Sequence, residues 1–197
     1  MENSKPFAEI IESNLQSFLG QCWQWNNCPN FGSLMCVETK QRTIFAVVSQ
    51  IQTGSMDPVR YPFPYQKTHE ELLAEQPQIF AFLKTSFTCL NLGYQEKTKI
   101  YSLLPAQPPA IHSFIRSANP EESKIFFSNN RYLHLLFAGS VPCLDELLLA
   151  LLKQQAELNL LKNGHLQDFI ATFSLLSGND YRRLKLFFSR AESLVSL

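Results

Sequence analysis

Residues 31–54 read FGSLMCVETKQRTIFAVVSQIQTG, and their pattern decides the fold. Two apolar arms, Ser33 to Glu38 and Thr43 to Ile51, flank the polar quartet Thr39-Lys40-Gln41-Arg42, as two strands flank a turn. The second arm, TIFAVVSQI, is rich in β-branched and aromatic residues and too apolar for a free surface strand. Residues 87–109, FTCLNLGYQEKTKIYSLLPAQPP, repeat the order of strand, charged turn and strand. These segments predict a small β-barrel, an architecture that holds or positions something more often than it catalyses.

On the N-terminal side, Phe7, Ile10, Ile11, Leu15, Phe18 and Leu19 recur near helical spacing, which fits a short helix or a strand against the barrel. Residues 21–29, QCWQWNNCP, alternate as an early strand or its lead-in. On the C-terminal side, Gly54 to Lys67 is a loop stiffened by Pro58, Pro62 and Pro64. Thr68-x-x-Glu71 then makes a capping box that starts a helix, kinked or divided at Pro77. Ile111 to Arg116 alternates as a strand, Asn119-Pro120-Glu121-Glu122 starts a second short helix, and Tyr132 to Ala138 reads as a last strand. From Cys143 onward three helices follow, Leu144 to Leu161, Leu166 to Leu176 and Tyr181 to Leu194. The reading is an α+β protein. A barrel of about six strands with helical insertions occupies residues 1–142, and a three-helix region over 143–197 packs on it.

Composition narrows the function classes. An apolar content of 45% is enough for a real core, and 16 phenylalanines favour packed interiors over disorder. Seventeen basic residues balance seventeen acidic ones, so no overall positive field draws in nucleic acid. No apolar run reaches the roughly 20 residues that span a bilayer; the longest, Leu147 to Leu152, is flanked by Asp145, Glu146 and Lys153. Glu2, Glu9 and Glu12 interrupt the first twenty residues, which therefore lack a secretory signal core. Five cysteines at irregular spacing point to a reducing compartment, so the expected location is cytoplasmic.

Several landmarks together suggest a family. They are the glycine-led hairpin from Gly32 to Ile51, the intervening insertion, a strand ending in Leu92-Gly93-Tyr94, the run PPAIHSFIRSANPEE, a short helix, and the strand Leu133 to Phe137. This order resembles the HAS-barrel, the small six-stranded barrel of HerA-type DNA translocases and rotary ATP synthase catalytic subunits. The resemblance covers about residues 21–139 and implies a collar used for subunit contacts and partner docking. The motor domain of such ATPases has no counterpart, because no glycine begins a G-x-x-x-x-G-K-[ST] loop and no G-x-G-x-x-G is present. ATP hydrolysis is therefore not carried over.

Candidate sites divide into chemistry and contact. Cys22, Cys28 and Cys36, with His112 or His134, lack the two-to-four-residue ligand spacing of a zinc site and read as free thiols, so no metal and no cofactor is expected. His112 and His134 read as barrel-wall residues, and no nucleophile arrangement such as G-x-S-x-G occurs. Glu70-Glu71, Glu121-Glu122 and Asp145-Glu146 all stand at helix starts, where the dipole explains them. No enzyme activity is expected, and no catalytic residue is assigned.

For contact, the loop residues Met56, Arg60, Tyr61, Phe63 and Tyr65 are too apolar and aromatic for a solvated loop; they either bind a protein partner or plug the barrel mouth. Arg182, Arg183, Lys185 and Arg190 make a basic stripe, either a solvated helix face or a nucleic-acid contact. The leucine-rich helix from Leu144 is either central in the core or a dimer interface. The expected function is a non-enzymatic partner-binding or assembly module whose partner is a ring ATPase or a second copy. The alternative is a nucleic-acid-associated accessory factor using the barrel face and the last helix.

Overall fold

The computed structural model describes residues 5–57, 59, 62–162 and 164–195, with residues 193–195 by backbone alone. Its strands are β1 (Ala8–Ser13), β2 (Ser17–Cys22), β3 (Leu34–Glu38), β4 (Thr43–Ser55), β5 (Leu83–Glu96), β6 (Lys99–Tyr101) and β7 (Phe114–Ser117). Every pairing is antiparallel, in the order β2-β1-β7-β3-β4-β5-β6, and a further pairing of β2 with β5 closes a barrel of six strands with β6 outside it. The helices are α1 (His69–Glu75), α2 (Pro120–Phe126), α3 (Leu133–Ala138), α4 (Leu144–Glu157), α5 (His165–Leu176) and α6 (Tyr181–Val195), with a 3-10 turn at Pro77–Phe82. The α+β reading therefore holds.

The apolar run of the 31–54 stretch has a simple cause. Side chains of a strand alternate between faces, so a strand that is apolar at every position is covered on both. Met35, Val37, Ile44, Ala46 and Val48 point into the barrel, where Ile10, Phe18, Phe87, Cys89 and Ile115 fill the interior. Leu34, Cys36, Phe45 and Val47 point outward, against Phe126, Leu133 and the leucines of α4. The barrel interior is narrow enough that a Cβ on Gly20 would stand 2.5 Å from Ile115 Cδ1. Outside it, Gly32 adopts a left-handed φ of 78°, and a Cβ there would lie 2.5 Å from the Ala150 methyl of α4. Helix and barrel thus touch where β3 begins.

Two expectations change, and two alternatives resolve. Tyr132 to Ala138 is not a strand: Leu133–Ala138 is α3, and its Leu133 and Leu136 pack on the outer barrel face. Closure passes instead to β2, which pairs with β5, and of the two readings of the first twenty residues the strand is the one that forms, as β1 and most of β2. His112 and His134 are not barrel-wall residues; His112 lies in a turn with φ 66° and His134 on α3, and both are exposed. The leucine-rich helix is central: Leu147, Leu148, Leu149, Leu151 and Leu152 are all buried in the chain's own core, so that face offers no dimer interface. The capping boxes at Thr68 and Asn119 form as the sequence predicts.

Phe45 lies in the shared layer, its ring 5.0 Å from that of Phe126. Replacing it by Ala is expected to cost about 3–5 kcal/mol. Because one apolar cluster joins barrel and helices, tryptophan fluorescence and helical circular dichroism should shift together in urea. Separate transitions would show that the barrel and the helices unfold as independent units.

Candidate functional site

The barrel does not use the whole length of β4 and β5. Neighbour β3 ends its pairing at the start of this extension, where Gly32 N–H donates to Val48 O and Val48 N–H to Ser33 O. On the other side β2 covers β5 only as far as Ser86, paired with Gln21. Beyond these limits β4 and β5 continue as a two-stranded arm out to the pair Ser55 and Leu83. Composition follows the change of environment: from Gln50 to Thr53 all side chains are exposed.

The arm is anchored at its root. Thr53 and Thr85 hydroxyls lie 2.7 Å apart, and Thr85, fully buried, also donates to the Trp25 carbonyl. Trp25 stacks on Phe80 at 5.5 Å, and His69 of α1 stands edge-on to Phe80 at 4.9 Å. The inserted helical segment is therefore folded toward the β5 side of the arm, through aromatic contacts rather than through a core of its own; α1 buries no residue.

At the tip, Met56 N–H donates to Phe82 O at 2.8 Å and closes the base of a cleft of about 370 Å³. Met56, Pro62, Phe63, Tyr65, Ile79 and Phe82 line it. Phe63 meets Tyr65 edge-on at 5.7 Å, yet Phe63 is 70% exposed, Phe82 59% and Met56 51%. These residues do not plug the barrel; they stand in water at the end of the arm. Of the expected contact residues, Met56, Phe63 and Tyr65 come together here, whereas Arg60 and Tyr61 lie outside the described residues. Ile79 and Phe82 were not legible as site residues, because the helical periodicity across Pro77 places Ile79 inward; the 3-10 turn rotates both toward the loop.

The basic stripe is only partly free. Arg183 Nη2 donates to Asp145 at 2.6 Å and its guanidinium lies 5.6 Å from the Phe137 and Phe173 ring centres. Arg190 pairs with Glu146 at 2.7 Å. Two cations of the stripe thus tie α6 to the acidic start of α4, while Arg182 and Lys185 face solvent. Asp145-Glu146 serve the α4 N-terminus and these two arginines together.

A second polar cluster escaped the sequence. Arg116 of β7 is 6% exposed and donates from Nη1 and Nη2 to the two Glu122 oxygens at 2.8 and 2.7 Å, and from Nη2 to Glu38 at 2.9 Å. Glu122 also accepts the Asn119 N–H at 2.9 Å, so one carboxylate caps α2 and holds the barrel arginine. Arg116 pulls the Glu122 carboxyl below its ordinary range, and burial pushes the neighbouring Cys36 thiol far up. A thiol held protonated is unreactive. In the helical layer, Gln155 donates to Tyr132 Oη at 3.0 Å and pairs with His165 Nε2 at 2.8 Å, and burial lowers the His165 pKa. Both clusters are satisfied internally and read as structural.

Cys22 sits in the barrel interior, where burial raises its thiol to about 11; Cys36 faces the helices and Cys28 faces water. Among the described residues no three His, Cys, Asp or Glu side chains gather as a metal site, and no helix is long and apolar enough to cross a membrane. No protein-family model and no curated protein sequence matches the chain. Fold and site together define a class, a β-barrel α+β protein with a projecting arm that ends in an exposed apolar cleft.

Removing Arg116 leaves two carboxylates without their counter-charge, Glu122 partly buried. Arg116→Ala is expected to cost about 1.5–3 kcal/mol in urea denaturation near pH 7. The folded Glu122 pKa is depressed, so its contribution is present above the ordinary carboxylate range and fades as pH falls through the lower, folded value. The Arg116→Ala variant should therefore lose less stability on acidification than the parent; an equal loss would show that this pair does not govern the acid limb.

Proposed function

We propose that the chain is a non-enzymatic partner-binding or assembly module that engages a protein through the tip of its arm. The observation that carries this reading is the cleft itself: Met56, Phe63 and Phe82 are large, apolar and more than half exposed, gathered on one projecting element. Contiguous apolar exposure of this kind costs solubility unless something covers it. Pro62 and Pro64 stiffen the loop, so less entropy is lost when a partner docks. The resemblance to HAS-barrels directs the search toward the collar of a ring ATPase as the partner.

Nucleic acid is the weaker reading, since Arg183 and Arg190 already neutralise Asp145 and Glu146. Affinity capture of the tagged chain from its native cells, compared with Phe63→Ala/Phe82→Ala, tests the proposal. The double variant should keep its melting temperature, because both side chains stand in solvent, and lose the stoichiometric partner about a hundredfold or more, as truncation of two anchors implies. Retention of the same partner at the same yield would refute the cleft as the contact.

A further inference from the structure

The free edge of β4 carries a second recognition element, which stands on backbone chemistry and shares only Ser55 and Met56 with the cleft. Along the arm, Met56 N–H bonds to Phe82 O across the β4–β5 ladder. Hydrogen-bonded positions alternate in an antiparallel ladder. Gly54 and Gln52, at two-residue steps from Met56, therefore face β5 as well, opposite Lys84 and Ser86. The N–H and C=O groups of Ile51, Thr53 and Ser55 then point the other way. Val48, upstream of the register shift between Val48 and Gln50, also points that way, and there Gly32 and Ser33, leading into β3, satisfy it. Past β3 nothing takes over: among the described residues no hydrogen bond reaches the outward backbone groups of Ile51, Thr53 or Ser55.

Natural edges of this kind are guarded by lysine, proline or a covering element. Ser49 to Met56 contains no charge and no proline. The helical insertion leans to the opposite side of the arm, onto Trp25. We propose that this edge pairs with the same edge of a second copy of the chain, antiparallel about a two-fold axis through Thr53. In that register Ile51 of each copy faces Ser55 of the other, and every outward group of the three residues finds a donor or acceptor. The absence of charge means that the two identical edges do not repel each other. The ends also match. Phe31, 38% exposed, lies just beyond the last β3 pairing, and Met56, 51% exposed, follows Ser55. An antiparallel two-fold brings Phe31 of one copy against Met56 of the other at both ends, a self-complementary arrangement.

Light scattering and sedimentation equilibrium on the full chain test this against the monomer mass of 22.6 kDa. Twice that mass, approached as concentration rises, is the expected result. Ile51→Pro removes one outward donor and leaves the β4–β5 ladder intact; the double variant Ile51→Lys/Ser55→Lys keeps the backbone and the Thr53–Thr85 anchor but sets like charges opposite each other on both sides of the axis. Both should return the monomer mass with an unchanged circular dichroism spectrum, and if the proline variant fails to fold, the lysine variant alone decides. Phe82→Ser, which cripples only the cleft, should leave the dimer in place, so the two readings fail separately. A chain that stays at the monomer mass at every concentration overturns the proposal, as does a dimer that survives Ile51→Lys/Ser55→Lys.

Discussion

The structure depends on the burial of both faces of β3 and β4. A pleated strand offers alternate side chains to opposite sides, and here both sets are apolar, so one cover is not enough. Closing the barrel buries Met35, Val37, Ile44, Ala46 and Val48 on one side. The helices bury Leu34, Cys36, Phe45 and Val47 on the other. Burial of a large apolar side chain is worth about 1.5–3 kcal/mol, so leaving either face open would forfeit several such contributions at once. The helical region is therefore the outer wall of the barrel's most apolar strands, and α4 is buried because it lies between that wall and the Phe169, Phe173 and Phe187 stack of α5 and α6.

Where the double cover ends, the character of the same strands changes. After Ser49 β4 runs past the end of β3, and Gln50 to Thr53 meet water; β2 still flanks β5 as far as Ser86, opposite Gln52, and from Thr53 to Ser55 the arm is two strands alone. A two-stranded ribbon is marginal without a packed face, and the Thr53–Thr85–Trp25 contacts with the Trp25–Phe80 stack supply the local hold. The features with the character of recognition surfaces, the apolar cleft and the unpaired edge, both lie on this arm. A rigid scaffold presenting a projecting element is a common division of labour between folding and binding.

Charged groups are used at the joints. Arg116 fastens the barrel to α2 through Glu122, and Arg183 and Arg190 fasten α6 to the start of α4. In each case the carboxylate stands at a helix N-terminus, where it satisfies the dipole and the arginine together. That double use explains why half of the basic stripe, Arg183 and Arg190, is already engaged within the chain.

Much of the architecture was legible because it is local. The β3–β4 hairpin, the capping boxes at Thr68 and Asn119 and the three C-terminal helices follow from period, turn chemistry and caps carried by neighbouring residues. The run from Tyr132 to Ala138 was misread because seven mostly apolar residues show no period that separates a buried strand from a buried helix; only the outer barrel face, which accepts Leu133 and Leu136 one turn apart, makes it helical. Loop composition flagged Met56, Phe63 and Tyr65, but whether they would plug the barrel or stand in solvent depended on how far β4 and β5 outrun their neighbours, a consequence of long-range register. Arg116 and Glu38 are far apart in sequence and meet through β3–β7 pairing. Sequence alone determined which segments form strands and helices wherever the signal lies within a few residues; tertiary structure decided which faces are covered and which edge is left open, because burial is a property of pairs of segments.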